Sequence, residues 1–146
     1  MNKSSKGFTL IELMIVIGIA SLIAYRVSIS SSGYFKKLAV DNSSSDLMVL
    51  TQLARANSMN TIEGKAWGVC LSLSRLYLFA DSCNETGKRS SFAISNLTSI
   101  SGLSTEIKFD KLTGNLNSSK SIVISSGSYS KTININNVGG IDLVIN

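Results

Sequence analysis

One stretch limits what this chain can fold into more than any other. From Phe8 to Tyr25 the residues are apolar or small apart from one charged side chain, Glu12, and Arg26 closes the run. A helix over that stretch is about 27 Å long at ~1.5 Å per residue, close to a ~30 Å hydrocarbon core. Ahead of it lies a polar leader, Met1 to Lys6, with Lys3 and Lys6 and no acid. Cations before an apolar helix predict a cytoplasmic leader, with the C-terminal bulk carried across the membrane. The small-residue pattern that marks a signal-peptide cleavage site is not evident after Tyr25, where the chain reads Arg-Val-Ser-Ile.

Glu12 is the anomaly inside the run. An acidic group there costs on the order of 2.5–3.5 kcal/mol on insertion scales. A buried carboxylate needs a proton or a cationic partner. No Lys or Arg stands within one helical turn of Glu12 after Gly7.

The segment Lys6-Gly7-Phe8-Thr9-Leu10-Ile11-Glu12-Leu13 resembles the class III leader of type IV pilins and type II secretion pseudopilins. The resemblance implies cleavage by a membrane-embedded prepilin peptidase between Gly7 and Phe8, with N-methylation of Phe8. It implies that Glu12 meets the positive N-terminus of a neighbouring subunit, the partner its own chain lacks. It also implies a long N-terminal helix carrying a periplasmic head. Further on, Leu53-Ala54-Arg55-Ala56-Asn57-Ser58 resembles a helix stretch of H/FimT-type minor pseudopilins, with Arg55 on the matching arginine. For Arg55 alone, an ordinary amphipathic helix with a solvated arginine is the preferred reading.

Charge and cysteine content narrow the function classes. The net charge of +5 includes Lys3 and Lys6, so the processed chain carries two fewer positive charges. That is a mild solubility charge, not a nucleic-acid footprint. Cys70 and Cys83 fall in the part expected outside the cytoplasm. They can form a disulfide, closing a loop worth ~3 kcal/mol, or remain two free thiols, and the bridge is the favoured reading. With no His and two Cys, neither a metal site nor a haem site has the ligands it needs, and no cofactor is expected.

Catalysis fails on the same inventory. A Ser-His-Asp or Cys-His arrangement is impossible in a chain without histidine. The acids Asp81, Glu85, Glu106, Asp110 and Asp142 are scattered without calcium-loop spacing, and Gly64-Lys65 and Gly87-Lys88 lack the spacing of a phosphate loop.

Along the chain, Val27, Ile29, Tyr34 and Leu38 suit a helix running beyond the membrane. Gly33 and the serines are weak helix formers, so any bend must fall on them in a chain without proline. Ser43-Ser44-Ser45 is a second soft spot, after which Asp46 could cap a renewed helix. Leu47, Leu50, Leu53, Ala54 and Asn57 follow helical spacing, and Ile62 to Lys65 ends the helix.

Beyond Lys65 the period becomes two. Residues 66–72 and 75–80 form a hairpin over Leu73-Ser74, residues 81–91 a polar loop, and strands follow at 105–109, 121–125, 131–136 and 141–145. The fold class is therefore α+β: a long N-terminal transmembrane helix followed by an antiparallel β-sheet or sandwich head. The expected segments are a leader at 1–7, a helix at 8–64 with 8–25 in the membrane, and a head at 65–146.

The sequence thus points to a structural minor subunit of a type II secretion pseudopilus or type IV pilus. It would sit in the inner membrane before assembly, with other pilin subunits, the prepilin peptidase and lipid as partners. The lesser reading is a DNA-binding minor pilin. In DNA-binding members of the family a Gly-Arg-x-Arg pattern supplies the cations. Here the comparable place reads Gly139-Gly140-Ile141-Asp142, which leaves Lys88 and Arg89, with Lys108 and Lys111, as the basic pairs.

Overall fold

The computed structural model describes residues 7–103 and 106–145, with the backbone alone for 26–32. The leader Met1 to Lys6, the side chains of Arg26, Val27 and Ile29, and Thr105 at the start of one expected strand lie outside the described residues. The chain divides into two compact units, Met1–Phe35 and Lys36–Asn146. One helix, α1 (Leu10–Met59), occupies the first and enters the second.

In the first unit every residue from Gly7 to Tyr25 is exposed. Leu10 is 77% and Leu22 70% exposed, so this stretch offers apolar surface on all sides. Ser21 is accommodated by donating its hydroxyl to the Ile17 carbonyl, at 2.7 Å. Among the described residues no helix is long and apolar enough to cross a membrane. The transmembrane character expected of residues 8–25 is thus not shown by the described residues.

The second unit has its own core. Its part of α1 buries Val40, Ser43, Ser44, Leu47, Leu50, Thr51, Ala54 and Ser58, a stripe at three- and four-residue spacing. The expected stripe needs correction, because Leu53 is 43% exposed and Asn57 only half-buried. The serine soft spot also needs correction, since α1 runs unbroken through Gly33 and Ser43-Ser44-Ser45 and Asp46 caps nothing. Small side chains let the helix sit close to the sheets. Their hydroxyls are satisfied nearby: Ser44 donates to the Asp41 carbonyl at 2.9 Å, and Thr51 to that of Leu47 at 2.6 Å.

The helix stops at Met59 and a short 3-10 turn follows at Ile62–Gly64. Thr61, Glu63 and Gly64 all take positive φ there (54°, 55° and 66°), which reverses the chain into the first strand.

Eight strands follow among the described residues: β1 (Trp67–Ser72), β2 (Arg75–Ala80), β3 (Lys88–Ala93), β4 (Ser99–Ser101), β5 (Ile107–Lys108), β6 (Lys120–Ser126), β7 (Tyr129–Ile135) and β8 (Ile141–Ile145). They form two four-stranded antiparallel sheets, ordered β3-β2-β1-β5 and β4-β6-β7-β8. The β1–β2 hairpin turns on Leu73 and Ser74, both left-handed (φ 50° and 58°), as a tight two-residue connection demands. Alternation fills the core: Leu76 and Leu78 from β2, Ile122 and Ile124 from β6, Ile133 and Ile135 from β7.

Two strands depart from expectation. Residues 88–91 were expected in a polar loop but belong to β3, and residues 99–101 form β4. Both lie at sheet edges, where a polar strand such as Lys-Arg-Ser-Ser-Phe-Ala leaves little apolar alternation.

Candidate functional site

The residues singled out by the sequence fall in three separate places. Gly7 and Phe8 precede α1; nothing lies within 4 Å of where a Cβ on Gly7 would stand, and Phe8 is 81% exposed. The Gly7–Phe8 peptide bond is therefore uncrowded by the described residues.

Glu12 sits in the first turn of α1, where it closes a capping box with Thr9. The Glu12 N–H donates to Thr9 Oγ1 at 3.3 Å, and the Thr9 N–H approaches Glu12 Oε2 at 3.5 Å. The Glu12 carboxylate, with no cation within one turn after Gly7, has a long contact to one backbone N–H of its own chain. The signal was legible as Thr-x-x-Glu ahead of an apolar run. A helix N-terminus also favours a carboxylate electrostatically. One long N–H contact leaves most of the carboxylate's four acceptor sites open.

Cys70 on β1 and Cys83 beyond β2 are joined by a disulfide, with Cα atoms 6.3 Å apart. Cys83 is further fixed by its N–H, which donates to Glu106 Oε2 at 3.2 Å. Both cysteines belong to the second unit.

The basic pair Lys88 and Arg89 opens β3, and each cation already has an acid. Lys88 Nζ lies 2.7 Å from Glu85 Oε1 and 4.4 Å from the centre of the Tyr77 ring. Arg89 spans to Glu63, with Nη2 at 2.8 Å from Oε2 and Nε at 3.3 Å from Oε1. The Arg89 hydrogen bond, aided by its charge, holds the Glu63 carboxyl below its usual range, and the same bond raises Arg89. Lys108 reaches Asp81, and Lys111 donates to the Gly64 carbonyl at 3.2 Å.

Arg55 is the residue whose surroundings the sequence did not foretell. It is half-buried, donating from Nη2 to the Val138 carbonyl at 3.1 Å. Ser58, one turn later, is fully buried. Its hydroxyl oxygen accepts the Trp67 N–H at 2.7 Å and faces the Trp67 and Phe109 carbonyls at 3.3 and 3.2 Å. Ser58 ends the stretch Leu53 to Ser58 that resembles minor pseudopilins, but that resemblance says nothing of its burial. Among the described residues no group of three or more His, Cys, Asp or Glu could hold a metal ion.

Residues 2–24 match the family model described as the prokaryotic N-terminal methylation motif. Among solved structures, the fold is similar to that of the minor pseudopilin EpsH from the Type 2 Secretion System of Vibrio cholerae. The TM-score is 0.55 at 10% sequence identity, covering 73% of this chain and 96% of that one. No curated protein matches the chain. The resemblance to type IV pilins and type II secretion pseudopilins thus rests on an N-terminal motif and on a fold.

Proposed function

We propose that the chain is a minor structural subunit of a type II secretion pseudopilus or a type IV pilus. A prepilin peptidase cuts it between Gly7 and Phe8 and N-methylates Phe8. Before assembly it is held in the inner membrane by the run from Phe8 to Tyr25, with the head in the periplasm. In the filament that run packs against other subunits' helices, and Glu12 sets axial register against a neighbouring N-terminal amine.

The observation that carries the reading is the coincidence of the methylation motif with an apolar stretch exposed from Phe8 to Tyr25. Such a surface is excluded from water by lipid or by other helices. The EpsH-like fold of the head supports the same assignment. DNA binding gains no support from the paired state of Lys88 and Arg89.

Processing is the direct test. Co-expressed with a prepilin peptidase, the chain should yield an intact mass for a protein starting at N-methylated Phe8. A mature N-terminus beyond Tyr25 would sink the proposal and make this an ordinary secreted protein.

A further inference from the structure

Arg55 stands in a cleft of about 290 Å³ lined by Gln52, Ala56, Met59, Gly139 and Ile141. Two glycines in the left-handed region make room for it, Gly114 (φ 65°) and Gly139 (φ 78°). A Cβ on Gly139 would stand 2.5 Å from Arg55 Nε, and one on Gly114 2.7 Å from Met59 Cγ and 3.1 Å from Arg55 Cγ. The chain therefore closes tightly around the stem of this arginine, and no larger residue fits at either glycine.

Its hydrogen bonding is incomplete. Of five guanidinium N–H groups, one is given to the Val138 carbonyl. Arg55 Nε is buried with no acceptor. No carboxylate among the described residues pairs with Arg55, whereas Lys65, Lys88, Arg89, Lys108 and Lys131 each have one. A guanidinium fixed in place with donors unused is pre-organised for an anion, because little rotamer entropy remains to be lost on binding.

We infer that this cleft receives the carboxylate of an acidic side chain from a protein partner. Three features favour a carboxylate over a nucleic-acid phosphate. The cleft offers a single cation. Its walls, Ala56, Met59 and Ile141, suit the methylenes of a glutamate. Asp142 follows Ile141 in β8 and repels a polyanion. The inference concerns the head alone and stands whether or not the chain enters a filament.

The test uses the full chain in detergent micelles with nitrogen-15-labelled arginine, followed by NMR of the side-chain Nε–Hε signals. The probes are N-acetyl-glutamate amide, N-acetyl-glutamine amide and a short thymidine oligonucleotide. The glutamate probe should move the Arg55 signal to saturation, and the glutamine probe should not. Arg55→Lys, which keeps the charge and loses the fork, should weaken the glutamate probe's effect on the Gly139 amide about tenfold. Equal responses to both amides, or no response to either, overturn the inference. Saturation by the oligonucleotide alone overturns it too, and assigns the cleft to nucleic acid. The wild-type comparison of the two amides needs no variant to fold.

Discussion

Leu22 and Leu50 lie on the same helix and lead opposite lives. Leu22 is 70% exposed in a stretch exposed throughout; Leu50 is 1% exposed under two sheets. The first region has apolar surface and no core, so its free energy is settled by whatever surrounds it. The second has closed its surface on itself. Both carry Leu and Val, but from Lys36 onward the helix also holds Lys36, Lys37, Asp41, Asp46 and Arg55. The difference lies in period: a helix apolar all round needs an outside partner, while one apolar stripe is matched by strands of the same chain.

Substitutions that act on one region and spare the other sharpen this contrast. Glu12→Ala should have the largest effect. Insertion holds or improves as an acid leaves the apolar run, while crosslinking to other pilins falls, because stranding one member of a buried pair costs ~3–5 kcal/mol. Glu12→Gln should fall between. Wild-type crosslinking by Glu12→Ala would show that the carboxylate has no role between subunits.

Next, Leu50→Ala should lower the stability of the head by ~2–5 kcal/mol in denaturant unfolding, and Leu22→Ala should leave it unchanged. If both shift the midpoint equally, the two regions are not energetically separate. Ser58→Ala should cost ~1–3 kcal/mol, since the buried Trp67 N–H loses its acceptor; Ser58→Thr tests whether the hydroxyl or the space matters.

The smallest effect belongs to pH. Glu63 has a lowered carboxyl, so its contribution is present above the ordinary value of 4.5 and fades as acid protonates it below that. The pair is solvent-exposed, and Glu63→Gln should therefore barely alter the acid limb of a pH–stability profile. A pronounced change there would mean that β3 depends on this pair to stay docked.

Much of the architecture was legible where period and punctuation agreed. The β1–β2 hairpin, β6, β7 and β8 all combine alternation with a clear turn. The misses share a cause. β3 and β4 are edge strands, held by partners on one side and by a polar sequence that mimics a loop. The serines of α1 have poor intrinsic helix propensity, yet tertiary packing overrides it because small hydroxyl side chains fit beneath two sheets. The candidate site divides in the same way. Gly7, Phe8 and Glu12 are readable as one contiguous motif. Arg55 acquires its environment from Gly114 and Gly139, distant in sequence, and no local pattern announces that.

Ser58 gives the head a mechanical character. Its hydroxyl ties the last turn of α1 to the backbone of β1 and of the Phe109 segment at one point. A pull directed along α1 loads those contacts together, as shear, rather than peeling them one by one. The buried stripe from Val40 to Ala54 shares the load along its length. Rupture should therefore be abrupt and occur at high force, with the sheets leaving the helix as one body rather than unravelling from an edge.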